Sequence, residues 1–176
     1  MALPVRRIAI LTGDHHAHDE TKRGGRYNEE DLEMHQAMLD AFATIPGYAF
    51  VCWNDHERVI AELDRDPPDL VVNFCDTGFR NVPTLELNLP AFMEMRGIPY
   101  TGAPPAAMVS CYDKAIGRLG AEAHGGPVPQ EHFIPADADP DDLPDLYPAL
   151  LKPNRADGSV GITKDSVVRD RDAARA

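Results

Sequence analysis

Apolar and polar residues come in blocks along the first hundred positions, and the blocks differ in period. Arg7-Ile-Ala-Ile-Leu11 is a short β-rich apolar run closed by Thr12-Gly13, which predicts a buried first strand. A polar stretch containing Gly24-Gly25 follows to Tyr27. Asn28 then predicts a helix N-cap, because Asp31 stands three residues on and can answer it in a capping box. Met34, Met38, Leu39 and Phe42 form an apolar stripe at helical spacing, and Pro46-Gly47 ends that helix. Phe50–Trp53 predicts the second strand. His56–Asp64 reads as a short helix carrying Val59, Ile60 and Leu63, stopped by Pro67-Pro68, and Leu70–Phe74 as a third strand.

Strands and helices in alternation at this pacing predict βαβ units, hence an α/β fold with a parallel, Rossmann- or flavodoxin-like sheet covered on both faces. Its crossovers should be right-handed. Ligands of such sheets gather beyond the carboxyl ends of the strands, so the loops after Leu11 and Phe74 are the ones to inspect. A first domain over 1–102 follows, and a second segment over 103–176.

Further along, Leu85–Arg96 predicts a helix interrupted or started by Pro90 and closed by Gly97, and Ile98–Gly102 a short strand and turn. Ala103-Pro-Pro105 opens a fresh segment, Tyr112–Ala123 a helix, and Glu131–Ile134 a strand. Ala136–Pro148, acidic and proline-rich, predicts a surface connection. Ala149–Lys152 predicts a strand, Asn154–Gly161 a glycine-bearing loop, Ile162–Val168 its returning strand, and Arg169–Ala176 the start of a helix. A strand pair and a beginning helix enclose little, so the expectation is that the second segment is cut short within a domain.

Composition narrows the function only slightly. The 176 residues are 43% hydrophobic with a net charge of −12, which suits a folded chain and argues against nucleic acid or an anionic membrane as partner. Cys52, Cys75 and Cys111 form no CxxC pair, so they read as reduced, mostly buried thiols. The start, Met1–Ile10, is too short and too basic in its middle for a signal peptide, and no apolar run reaches membrane-spanning length; a cytoplasmic protein is expected.

The chemistry lies in two blocks. Met93-Glu-Met-Arg-Gly-Ile-Pro-Tyr-Thr-Gly102 with Asp113-Lys114 is one. Leu150-Leu-Lys-Pro-Asn-Arg-Ala-Asp-Gly-Ser-Val-Gly-Ile162 is the other. In the second, Lys152 precedes a loop whose Gly158, Ser159 and Gly161 can turn backbone N–H groups toward an anion, a phosphate cradle with a cation beside it. An ordinary β-hairpin turn would use the same glycines. The spacing is not that of a Walker A loop. Lys114 by itself reads equally as a solvated lysine.

Together the blocks resemble the D-alanine–D-alanine ligases of the ATP-grasp superfamily, with "E-x-x-G-I-P-Y-T-G … D-K" and "V-V-K-P-x-x-x-G-S-S-V-G" in the same order and separation, and Pro127-Val-Pro129 where that family has "G-x-P-T-P". The resemblance implies a pre-ATP-grasp domain followed by the first part of an ATP-grasp domain. It implies ATP and Mg2+ as cofactors, amino-acid-like small molecules as substrates, and an amide bond made through an acyl phosphate. Lys114 and Lys152 would contact nucleotide phosphates with Gly158, Ser159 and Gly161. Asp113 would cap a helix, Tyr100 and Gly102 would hold the domain junction, and the magnesium ligands would lie outside this chain. A homodimer is also implied.

The loop after the first strand departs from the family's "G-G-x-S-x-E", whose Glu holds the substrate amine. Here Thr12-Gly-Asp-His-His-Ala-His-Asp-Glu20 makes Glu20 the candidate for that role, with Glu30 behind it. Cys75-Asp-Thr-Gly78 replaces a histidine-glycine turn, and Gly158 a serine, so the resemblance carries the ligase class rather than the substrate. His15, His16 and His18, with Asp14 and Asp19, read as a solvated, pH-sensitive loop rather than a metal site, since adjacent histidines point apart. The expected function is an ATP-dependent carboxylate–amine ligase of which this chain alone is an inactive part. The alternative is a non-catalytic α/β binding module derived from that family.

Overall fold

A computed structural model describes residues 6–156 and 158–175, with Pro140 described by its backbone alone. Residues 1–5, Asp157 of the glycine-bearing loop, and Ala176 at the end of the predicted last helix lie outside the described residues. The chain divides into two units, Met1–Met108 and Val109–Ala176.

In the first unit, strand β1 (Arg7–Thr12) pairs in parallel with β2 (Ala49–Trp53) on one side and β3 (Leu70–Phe74) on the other, giving the order β2-β1-β3. Flanked on both sides, β1 buries every side chain from Ile8 to Thr12, which is why its apolar run is continuous rather than alternating. Helix α1 (Glu29–Ala43) starts on the capping box expected of Asn28 and Asp31. Asp31 N–H donates to Asn28 Oδ1 at 2.9 Å, and Asn28 N–H to Asp31 Oδ2 at 3.0 Å. The helix ends at Ala43, ahead of Pro46-Gly47. Helix α2 (His56–Arg65) is capped by Asp55, and α3 (Asn88–Arg96) is closed by Gly97 in the left-handed conformation.

The two faces of the sheet are covered unequally. Ala9, Leu11, Trp53 and Val71 meet Val59 and Leu63 of α2 and Leu89 and Met93 of α3 in one sealed core. The opposite face is met by α1. Phe42 touches Phe50 and Phe74, yet no α1 side chain is buried, Met34 of the predicted stripe is exposed, and Phe74 is 46% exposed. The crossover from β1 to β2 and the one from β2 past β1 to β3 run in opposite directions with their helices on opposite faces, as two crossovers of one hand require. The predicted strand after α3 is reduced to a single parallel bridge, Tyr100 to Val71, and the predicted helix from Leu85 begins at Asn88 after two short 3-10 turns, with Pro90 in its first turn, where no N–H is missed.

The unit boundary falls within α4 (Pro105–Tyr112), a helix the sequence reading lacked. Ala103-Pro-Pro105 looks like a break, but Pro105 stands at the helix start, where proline is at ease. The single helix predicted over Tyr112–Ala123 is interrupted at Asp113, which is extended; α5 runs over Lys114–Ala123. Glu131–Ile134 forms no strand, and its Phe133 is 57% exposed. The predicted strand pair shrinks to β4 (Ala149–Leu150) and β5 (Val167–Val168), antiparallel, because Thr163 caps a 3-10 turn over Lys164–Ser166 and ends the extended run. Helix α6 covers Arg171–Arg175. Among the described residues of this unit only Asp113 and Val168 are buried. No helix of the described residues is long and apolar enough to cross a membrane. Cys52, Cys75 and Cys111 are free; Cys111, against expectation, is exposed.

Candidate functional site

The second unit brings Lys114 and Lys152 together. Lys152 stands just after β4 and precedes Pro153, which biases it away from helical backbone. Residues 151–166 separate the paired strands. The glycines therefore form a turn within a long excursion rather than a two-residue hairpin connection. Within it Gly158, Ser159 and Gly161 take φ of 59°, 62° and 74°. At Ser159 this left-handed backbone costs on the order of 1–3 kcal/mol, and such strain gathers at functional loops. Ile162 N–H closes the turn on the Ser159 carbonyl at 3.0 Å, and Gly161 lies so near Pro153 that a Cβ would stand 3.2 Å from its Cγ.

Lys114 reaches this loop from the start of α5. Its ammonium donates to the carbonyl of Ala156 and, at 3.4 Å, to that of Asn154. A cavity of about 250 Å³ is lined by Lys114, Lys152, Ala156, Gly158, Ser159 and Val160, with Pro153 and Ile162. A second shares Lys114, Lys152 and Pro153 and is walled by Phe133, Ile134, Leu150 and Leu151, with Glu131 and His132. Two ammonium donors beside a glycine turn suit an anion, and the adjoining apolar wall suits a flat heterocycle.

Asp113 caps α5 as the sequence predicted. Its carboxylate accepts from the Asn154 side chain, from Ile116 N–H at 3.1 Å and from Arg155 Nε at 3.0 Å, and these bonds hold its pKa down at about 2. The sequence carries no signal for the Asn154 and Arg155 contacts, which join positions far apart in the chain.

In the first unit the two loops marked for inspection do converge at the carboxyl end of the sheet. Asp14 N–H donates to Asn81 Oδ1 at 2.8 Å, and Asn81 Nδ2 to the Asp14 carbonyl at 2.6 Å. Arg80 N–H donates to His56 Nδ1 at 2.7 Å, so the proton of this buried, neutral ring is on Nε2 and is given to the Thr12 carbonyl at 2.9 Å. Arg80 and Asn81 both have positive φ. The cluster is held from every side, and burial, with Asp76 beside it, pushes the Cys75 thiol up to about 12.

His15, His16 and His18 do not converge. The His15 ring lies against Tyr27 at 4.6 Å and His35 at 4.2 Å, while His18 stands beside Gly25. Burial, then the nearby His35 and His16, pull the His15 imidazole down to about 4. No group of three or more His, Cys, Asp or Glu among the described residues could hold a metal ion. Glu20 is exposed on this loop, whereas its neighbour Asp19 is fully buried. Asp19 Oδ1 accepts from Thr21, and its Oδ2 meets no partner.

Comparison with known proteins gives a consistent family. The chain is 31% identical over 149 residues to a D-alanine–D-alanine ligase of Bordetella petrii, covering 80% of this chain and 43% of that protein. It is 30% identical over 163 residues to the D-alanine–D-alanine ligase of Ralstonia pickettii, covering 86% and 45%. The chain is a D-alanine–D-alanine ligase-like member of the ATP-grasp superfamily. The Vancomycin B-type resistance protein VanB of Enterococcus faecalis is 29% identical to this ligase-like chain over 86 residues, 49% of the chain and 25% of that protein. The chain spans less than half the length of these relatives. No family model matches it, and no solved structure does.

Proposed function

We propose that the chain is part of an ATP-dependent carboxylate–amine ligase, with a pre-ATP-grasp α/β domain followed by the first part of the nucleotide-binding domain. Lys114 and Lys152 neutralise the nucleotide phosphates, and Gly158, Ser159 and Gly161 let the loop backbone approach them. Such a ligase joins a carboxylate to an amine through an acyl phosphate whose phosphoryl group ATP supplies. The contribution of these residues is to position the phosphates and disperse charge. No metal ligand is assigned to the described residues. Glu20 is the candidate contact for the amine of an amino-acid-like substrate.

One observation carries this reading: two lysines from distant blocks of the sequence line one cavity with Gly158 and Ser159. Titration calorimetry with ATP and magnesium tests it. Lys114→Ala and Lys152→Ala should each lose about 1–3 kcal/mol of binding, as charge-assisted contacts do. Wild-type affinity in the double variant would remove the phosphate assignment, and no binding by the wild-type chain would remove this unit as a nucleotide site. ATP turnover by the 176 residues alone is expected at background; phosphate release dependent on an amino acid would contradict that.

A further inference from the structure

The start of an α-helix presents N–H groups that no intrahelical carbonyl can meet. In α5 those of its first three residues are consumed. Lys114 N–H donates to the Asn154 carbonyl at 3.2 Å, Ala115 N–H to Asn154 Oδ1 at 3.0 Å, and Ile116 N–H to Asp113 Oδ1 at 3.1 Å. Gly117 N–H, the next, already bonds the Asp113 carbonyl at 2.9 Å. The Asn154 carbonyl also accepts from Lys114 Nζ, and its side-chain amide bonds the Asp113 carboxylate. Asn154 therefore engages the helix start through its carbonyl, its Oδ1 and its amide. Arg155 pairs with the same carboxylate, but its side chain is 67% exposed, so solvent screens that contact.

Two consequences follow. The N–H groups of Lys114, Ala115 and Ile116 are taken, so they are not offered to an anion, and a phosphate here is left to the lysines and the loop. The long, flexible stem of Lys114 does not itself fix where its ammonium stands. The backbone at its root is fixed, and Asn154 fixes it.

We propose that Asn154 is a positioning residue: by tying the start of α5 to the loop, it holds the Lys114 ammonium over the residues that follow Lys152. Its importance for nucleotide binding rests on the phosphate reading above; the positioning itself does not.

Acylation of the full chain with an amine-directed reagent, read by peptide mass spectrometry, follows Lys114 and Lys152 in one sample. In the wild type, Lys114 is half-buried and donates to two carbonyls, so it should react more slowly than the exposed Lys152. Asn154→Ala should accelerate Lys114 about fivefold, the factor that one ordinary net hydrogen bond represents, and leave Lys152 at its wild-type rate. Lys152 is already exposed, so a merely structural weakening of the unit would show instead as a loss of helical circular dichroism alongside the faster Lys114. Should Asn154→Ala lose helical circular dichroism, Asn154→Ser, which keeps a shorter acceptor, carries the test with the same expectation. A folded variant in which Lys114 reacts at its wild-type rate overturns the proposal, as does a Lys114 acceleration that comes only with lost helical circular dichroism. Adding ATP and magnesium to the wild type separates the two claims. Slowing of both lysines supports the phosphate reading. Slowing of neither sinks that reading, while the Asn154→Ala comparison still decides the positioning role.

Discussion

The two units spend their residues differently. In the first, apolar side chains from three strands and two helices meet in one core, and Met93, Leu11 and Val71 are sealed from solvent. In the second, Ile116, Leu119, Phe133, Leu150 and Val167 are all exposed, and Val168 is the buried apolar residue among those described. What orders the second unit is instead polar: the Asp113–Asn154–Arg155 ties, the Thr163 cap, and the lysine held on loop carbonyls. Hydrophobic burial is non-directional and sums over area, whereas these bonds are directional and individually modest. The first unit is thus ordered by burial, and the second by a few directional bonds.

The largest expected difference is in native-state hydrogen exchange. Amides of Val71 and Val72 should exchange orders of magnitude more slowly than those of Leu150, Leu151 and Ile162, because a short uncovered ribbon opens locally. Equal protection would abolish the contrast. Next, Met93→Ala should cost about 2–5 kcal/mol in urea unfolding by leaving a core cavity, and Leu150→Ala less than about 1 kcal/mol. Similar costs would show that the second unit buries Leu150 after all.

The smallest effects concern pH, and each unit should fail in its own window. The folded His15 pKa of about 4 lies below the ordinary value of 6.5, so neutral His15 favours the fold. Its contribution is complete above about 6.5 and is lost as pH falls toward 4. His15→Phe, which keeps the ring contacts, should flatten the stability profile there. Asp113, held at about 2, contributes fully above the ordinary carboxylate range and is lost as pH falls through 2. Protection of the Ile116 amide should drop in that lower window alone; loss of it between 6.5 and 4 would contradict the assignment.

The same contrast explains what could be read in advance. Strands β1 to β3 and the cap of α1 were legible because buried runs and capping pairs are local patterns, visible in Ile8–Leu11 and in Asn28 with Asp31, whereas the Asp113 cap of α5 came from the family resemblance. Helix α4 was hidden by Pro104-Pro105, which signals a break and a helix start with the same residues. Glu131–Ile134 has β-forming content but meets no strand among the described residues, and pairing is a tertiary fact. At the candidate site the lysines and glycines were legible from motif order. Asn154 was not, since its side chain acts on the start of a helix some forty positions earlier. Nor was the burial of Asp19 beside exposed Glu20, because both are acidic residues in one polar loop.

We propose that the weakly covered second unit, and not the well-packed sheet, receives the nucleotide. Amide NMR spectra of the chain titrated with ATP and magnesium test it most directly. Saturable shifts are expected at Lys114, Gly158, Ser159 and Gly161, with Val71 and Val72 unmoved. Shifts centred instead on Asp14 and on Cys75 to Asn81, at the carboxyl end of the sheet, would contradict it.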